Sequence, residues 1–179
     1  MLRPSTLSPL LGGLALAPIL ALGACADEPA QTYDPDEVIA TAITFATELE
    51  RLDNGPLPSI HVDMLGFAEF YANDVAADVF RSIVPGSSDT VTFPRGSILV
   101  KNNLDQNGEP RGALTILAKF EEGYFPMGND WFFAMVSMDG EVLNNTVGNG
   151  VEVYACYDCH AQRAPNSDLI IGLSADELR

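Results

Sequence analysis

Two short runs, residues 97–101 (SILVK) and 113–118 (ALTILA), stand on either side of the dipeptide Asn107-Gly108. Apolar and β-branched residues at strand length, separated by a dipeptide suited to left-handed backbone, predict an antiparallel pair closed by a hairpin loop. Residues 131–136 (WFFAMV) read as a third strand, turned by Asp139-Gly140. Helical signals come earlier. Asp34-Pro35-Asp36-Glu37 places acids at the positive end of a helix dipole and proline in the first turn. Val38, Ala42, Phe45, Leu49 and Leu52 then recur at helical spacing, up to the stop Asn54-Gly55-Pro56. Asn73 or Asp74 can cap a second, short helix through Val75, Val79 and Phe80, ended by Pro85-Gly86. The glycine-rich stretch 144–150 reads as loop. The expected class is α+β: a mostly antiparallel β-sheet with a few packed helices.

The N-terminus has a different character. One arginine, Arg3, precedes an apolar run over residues 10–22, too short to span a bilayer but suited to the core of a signal peptide. Leu22-Gly23-Ala24-Cys25 is similar to a bacterial lipobox, in which the cysteine is acylated and becomes the new N-terminus. Residues 1–24 are therefore expected to be removed. Residues 25–34 would form a polar tether, and residues 35–179 one domain on the periplasmic or outer face, held to the membrane only through the lipid on Cys25. The formal net charge of the whole chain is −16. Removing Arg3 makes the remainder more acidic still. Such a surface repels nucleic acid and anionic headgroups, keeps an exported protein soluble, and favours cationic protein partners.

With Cys25 assigned to lipid, the other two of the three cysteines stand together in Cys156-Tyr157-Asp158-Cys159-His160. A redox or disulfide pair, half of a zinc site and a haem attachment point all use such a motif. A zinc site needs four ligands, and the only other histidine is His61, far upstream. A thioredoxin-like pair belongs after a strand near the front of a βαβ unit, whereas this one follows a glycine-rich loop near the C-terminus. Covalent haem needs two thiols, one for each vinyl group, and an imidazole delivered to iron by the same turn. The motif supplies all three, with His160 as the iron ligand. A sixth ligand would have to be His61 or one of Met64, Met127, Met135 and Met138. Methionines scattered through apolar segments read as core filler, and His61, near Pro58 and Ser59, as a hydrogen-bonded or surface residue. An open far side of the iron is therefore expected.

Several segments in order resemble the cytochrome P-460 family. Residues 93–101 (FPRGSILVK) are similar to its phenylalanine–glycine–strand–lysine motif, and residues 69–76 (EFYANDVA) to its first strand and helix start. Residues 128–133 (GNDWFF) resemble its tryptophan strand, and CYDCH followed by Asp168 its C-terminal haem motif. The resemblance implies five-coordinate c-type haem on Cys156, Cys159 and His160, usually in a homodimer. It also implies a role for Lys101. In the hydroxylamine-oxidising members, a lysine at this position is bonded through its side-chain nitrogen to a porphyrin meso carbon. Lys101 and Lys119 are the two lysines of the chain. A carboxylate just before the haem motif, here Glu152, would assist proton removal. The sequence also departs from the pattern. Asn102 follows the lysine where an acid is usual, no arginine stands at 66–68, and the loop 82–91 is long.

Two functions follow from the resemblance. In one, the haem oxidises hydroxylamine and/or nitric oxide, with Glu152 taking protons and a redox partner protein taking electrons. In the other, the protein is a cytochrome c′-beta-type carrier that binds nitric oxide or transfers electrons without turnover. Phe67, Phe70, Phe125, Phe132 and Phe133 are the aromatic residues available to its pocket.

Overall fold

The computed structural model describes residues 33–59 and 66–179. Cys25, His61 and Met64 lie outside them. The first helix, α1 (Pro35–Ile43), starts as the sequence predicts. Asp34 accepts a hydrogen bond from Asp36 N at 2.9 Å, and Pro35 opens the helix, where its missing N–H costs nothing. It does not run on to Leu52. Thr44 interrupts it, and a single turn, α2 (Phe45–Glu48), follows. Thr44 Oγ1 donates back to the carbonyls of Thr41 and Ala40, and Thr47 Oγ1 to that of Thr44. Such back-bonding competes with the helix ladder. The next residues pair as a short strand, β1 (Glu50–Arg51).

After β2 (Leu57–Pro58) come β3 (Phe67–Ala72) and the helix α3 (Asp74–Arg81). Asn73 caps α3, its Oδ1 accepting from Ala76 N at 3.2 Å. The same oxygen accepts from Ile98 N at 3.0 Å, and Nδ2 donates to Gly96 O at 2.7 Å. One side chain thus ties the helix start to the strand that carries Lys101.

That strand, β4 (Ile98–Leu104), pairs with β5 (Pro110–Lys119) through the expected hairpin. Asp105 Oδ1 accepts from Asn107 N and Glu109 N, and Gly108 takes φ 82°. β6 (Trp131–Ser137) is the third expected strand. The stretch 144–150, expected as loop, lies largely within a further strand, β7 (Val142–Gly148). It carries two left-handed asparagines, Asn144 and Asn145, and its pairing with β6 is irregular. The described strands form one antiparallel sheet in the order β1-β3-β4-β5-β6-β7, with β2 also on β3.

Both faces of the sheet are covered, so β4 to β6 are buried on both sides. Val100, Ile116, Phe132 and Ala134 face α1, with Val38, Ala42 and Phe45. Leu99, Leu117 and Phe133 face the other way, against α3 and the C-terminal third. Because side chains alternate, Phe70, Lys101, Thr115 and Met135 stand in one cross-strand row on that second face. The α+β class and the antiparallel sheet hold.

Candidate functional site

The CYDCH motif lies within the last helix, α4 (Tyr154–Arg163), entered through a 3₁₀ turn at Val151–Val153. Small and straight-chained residues such as Ala155, Ala161 and Gln162 suit a helix, and Gln162 Nε2 donates to Asp158 at 2.7 Å one turn back. Cys156 and His160 stand one turn apart, with Cys159 beside them. Both cysteines are free and half-buried. Cys156, Tyr157 and Ala161 pack on the core beneath, with Tyr157 edge-on to Phe125 at 5.6 Å between ring centres.

The His160 ring is held from two sides. Nδ1 lies 2.6 Å from the carbonyl oxygen of Leu169, and Phe133 meets the ring edge-on at 5.8 Å between centres. A carbonyl only accepts, so the proton sits on Nδ1 and Nε2 carries the lone pair. Burial, chiefly, pushes the imidazole pKa below its ordinary value, with the charges of Lys101 and Arg163 adding to the effect and the Leu169 bond opposing it. His160 is therefore neutral at neutral pH. That is the form that binds metal.

His160, Cys159 and Lys101 line one cavity of about 220 Å³. Its walls are mostly apolar: Leu57, Phe70, Leu99, Leu117, Ile170 and Leu173. Ser59, Thr115 and Glu177 add polar groups. The C-terminal segment can close the wall because residue 172 is glycine: a Cβ there would run into the Ile83 side chain. Lys101 occupies the middle of β4, half-buried, with Nζ 3.5 Å from Ser59 Oγ. Desolvation lowers its pKa from 10.5 to about 8, against a smaller opposing pull from Cys159.

That shift has a measurable sign. Between pH 8 and 10.5 the unfolded chain holds a proton on Lys101 that the folded chain has released, so stability rises with pH across that window. Below it the fold bears the full cost of a desolvated ammonium, about 3 kcal/mol at 1.36 kcal/mol per unit. Lys101→Met should therefore stabilise the chain, free of any prosthetic group, by up to that amount at pH 7. Above pH 10.5 the gain should vanish. Urea unfolding at the two pH values checks both.

Other sequence candidates fall elsewhere. Glu152 is exposed in the 3₁₀ turn before α4 and does not line the cavity. Glu177 does line it, its Oε2 anchored by Ser174 N and Oγ at 2.8 and 2.7 Å. The Ser174-x-x-Glu177 spacing of a capping box was its one sequence signal. Of the aromatic residues, Phe70 lines the cavity, Phe125 and Phe133 pack in the core beside α4, and Phe132 faces α1. Asn102, where an acid was expected, is buried on the opposite face and donates to Glu69 at 3.0 Å.

Among the described residues, no three His, Cys, Asp or Glu side chains converge as a protein-only metal site requires. Compared with known proteins, the chain matches no family model and no curated protein.

Proposed function

We propose that the chain is an exported c-type haem protein of the cytochrome P-460 type, which oxidises hydroxylamine and/or nitric oxide at a haem held by Cys156, Cys159 and His160. One observation carries the reading. His160 has its Nδ1 satisfied by Leu169 and lines an apolar cavity together with Cys159 and Lys101, where burial lowers its pKa. A porphyrin brings four nitrogens of its own, so iron there asks the protein for one imidazole and no cluster.

The thiols favour this reading over a redox pair. Cys156 lies in the first turn of α4 and Cys159 one turn on. Helical residues three apart have Cβ atoms roughly 5–6 Å from each other, wider than the roughly 3.5–4.5 Å of a disulfide. Burial also pushes the Cys156 thiol up, away from the thiolate that redox exchange needs. At about 220 Å³ the cavity is smaller than a macrocycle and would have to widen to take one.

A bound haem would supply the electron-accepting iron. The chain's residues supply the rest. Apolar walls exclude water and admit small neutral molecules such as hydroxylamine and nitric oxide. Lys101 stands at the cavity with an amine that is partly unprotonated near pH 8. Glu177, which lines the cavity, would take protons there, while Glu152 would take them only through solvent. The same apolar lining supports a second reading, a c′-beta-type carrier that captures nitric oxide without turnover.

The test is haem staining after denaturing electrophoresis of the chain matured with the cytochrome c assembly machinery. A stained band at the protein's mass is expected, and its absence ends the reading. The address is tested separately. If Cys25 is lipidated, globomycin should leave an unprocessed precursor, and the mature protein should stay with membranes in high salt. Among the described residues no helix is long and apolar enough to cross a membrane.

A further inference from the structure

Four residues from three chain segments converge on Asp168, a buried carboxylate beyond the end of α4. Its Oδ1 accepts from Lys119 Nζ and Asn129 Nδ2, both at 2.9 Å. Oδ2 accepts from Lys119 Nζ at 2.7 Å and from Phe93 N at 2.9 Å. Its own carbonyl accepts from Trp131 Nε1 at 2.7 Å. Lys119 is buried as well, 5.2 Å from the centre of the Trp131 ring.

A buried ion pair can be a plain staple. The backbone here argues for more. Asp168 and the next residue, Leu169, have φ of 54° and 67°. Two successive non-glycine residues in the left-handed region are strained, and they persist only where their surroundings over-determine them. The surroundings are this network together with Leu169 N, which donates to Ala164 O at 3.0 Å over the end of α4. What the strained pair presents is the Leu169 carbonyl, 2.6 Å from His160 Nδ1.

We infer that Asp168 is a positioning residue: held by Lys119, Asn129, Phe93 and Trp131, it fixes the Leu169 carbonyl that selects the tautomer and aims the ring of His160. Partners of this kind raise the basicity of a ligating imidazole and fix its plane. Only what Nε2 then binds rests on the proposed haem.

The experiment has two arms, so that the two ideas fail separately. In the full mature chain made without the assembly machinery, ¹⁵N spectra of the imidazoles, assigned against a His61→Gln chain, read the His160 tautomer. In the haem-loaded ferrous chain, resonance Raman reads the iron–histidine stretch. Asp168→Asn alone leaves Lys119 buried without a counter-charge and can fail to fold. The Asp168→Asn/Lys119→Met pair removes both charges and keeps the volume, and Trp131→Phe removes a single donor. In wild type the Nδ1–H form should dominate. In the pair and in Trp131→Phe it should lose that dominance, and the stretch should move to lower frequency. Val38→Ala, on the opposite face of the sheet, should lower the melting temperature and change neither signal. If the pair melts earlier but keeps the wild-type tautomer and stretch, Asp168 is a staple only and the inference is overturned. If no haem is present in wild type, the proposed function falls, and the tautomer arm still decides the role of Asp168.

Discussion

The Cys156→Ala/Cys159→Ala double variant should lose haem staining on denaturing gels completely, while each single variant should keep a weakened band. Two thioether bonds hold a c-type haem through denaturation, and one thioether is enough to keep some of it. Both thiols are free and half-buried in α4, Cys159 lining the cavity and Cys156 packed on the core, and alanine at either position removes a bond-forming atom. His160→Ala should behave differently. Its thiols remain, so a band should persist, but the imidazole that lines the cavity is gone. The absorption spectrum of the native protein should change markedly, whereas that of the denatured protein in excess pyridine should not. A double variant that stains like wild type would mean that haem is carried elsewhere or adventitiously. The reading of CYDCH would then fail whatever the remaining residues do.

These variants are readable because the motif is local. So were the helix start at Asp34-Pro35, the cap at Asn73 and the hairpin around Asn107-Gly108, where the residue that decides the structure lies within a few positions of its effect. The errors lie where a distant partner decides. Residues 144–148 look like loop because asparagine and glycine punctuate them, yet β6 lends them a ladder from across a turn. Leu49 and Leu52 keep helical spacing with Val38 and Ala42, but pairing of Glu50 and Arg51 with β3 pulls the chain out of helix. Asp53, just beyond, is fully buried and accepts from Phe70 N at 2.7 Å, a role nothing near it in sequence announces. The site divides the same way. Cys159, His160 and Lys101, singled out by motif, do line one cavity, whereas Cys156 packs on the core. The Leu169 carbonyl, the Asp168 network and Glu177 were not legible, because each acts across a loop or a sheet.

Lys101 separates the two functions, and Lys101→Arg is the variant with the larger functional consequence. An amine attacks a porphyrin carbon only when unprotonated. Because the new C–N bond replaces an N–H and a meso C–H bond, two protons and two electrons must leave to an added two-electron oxidant such as peroxide. Desolvation brings Lys101 to about 8, where a substantial fraction is in that form. Guanidinium keeps its proton at any pH the protein survives. If the chain is an oxidising enzyme of the P-460 type, haem peptides from wild type should carry a third link, through Lys101. The distorted macrocycle should then absorb away from ordinary haem c. Lys101→Arg should return the ordinary spectrum and abolish hydroxylamine oxidation, while nitric oxide still binds. Lys119→Arg is the control, because the Lys119 ammonium is tied to Asp168 at 2.7 Å and does not line the cavity. It should leave the link intact. Maturation at pH 6 should also slow link formation relative to pH 8, since protonation below the Lys101 pKa removes the nucleophile. If wild type and Lys101→Arg share one spectrum and one set of haem-peptide masses, no cross-link exists. The apolar cavity is then better read as a nitric oxide pocket, in which a half-buried lysine beside Ser59 supplies a hydrogen bond rather than a covalent bond.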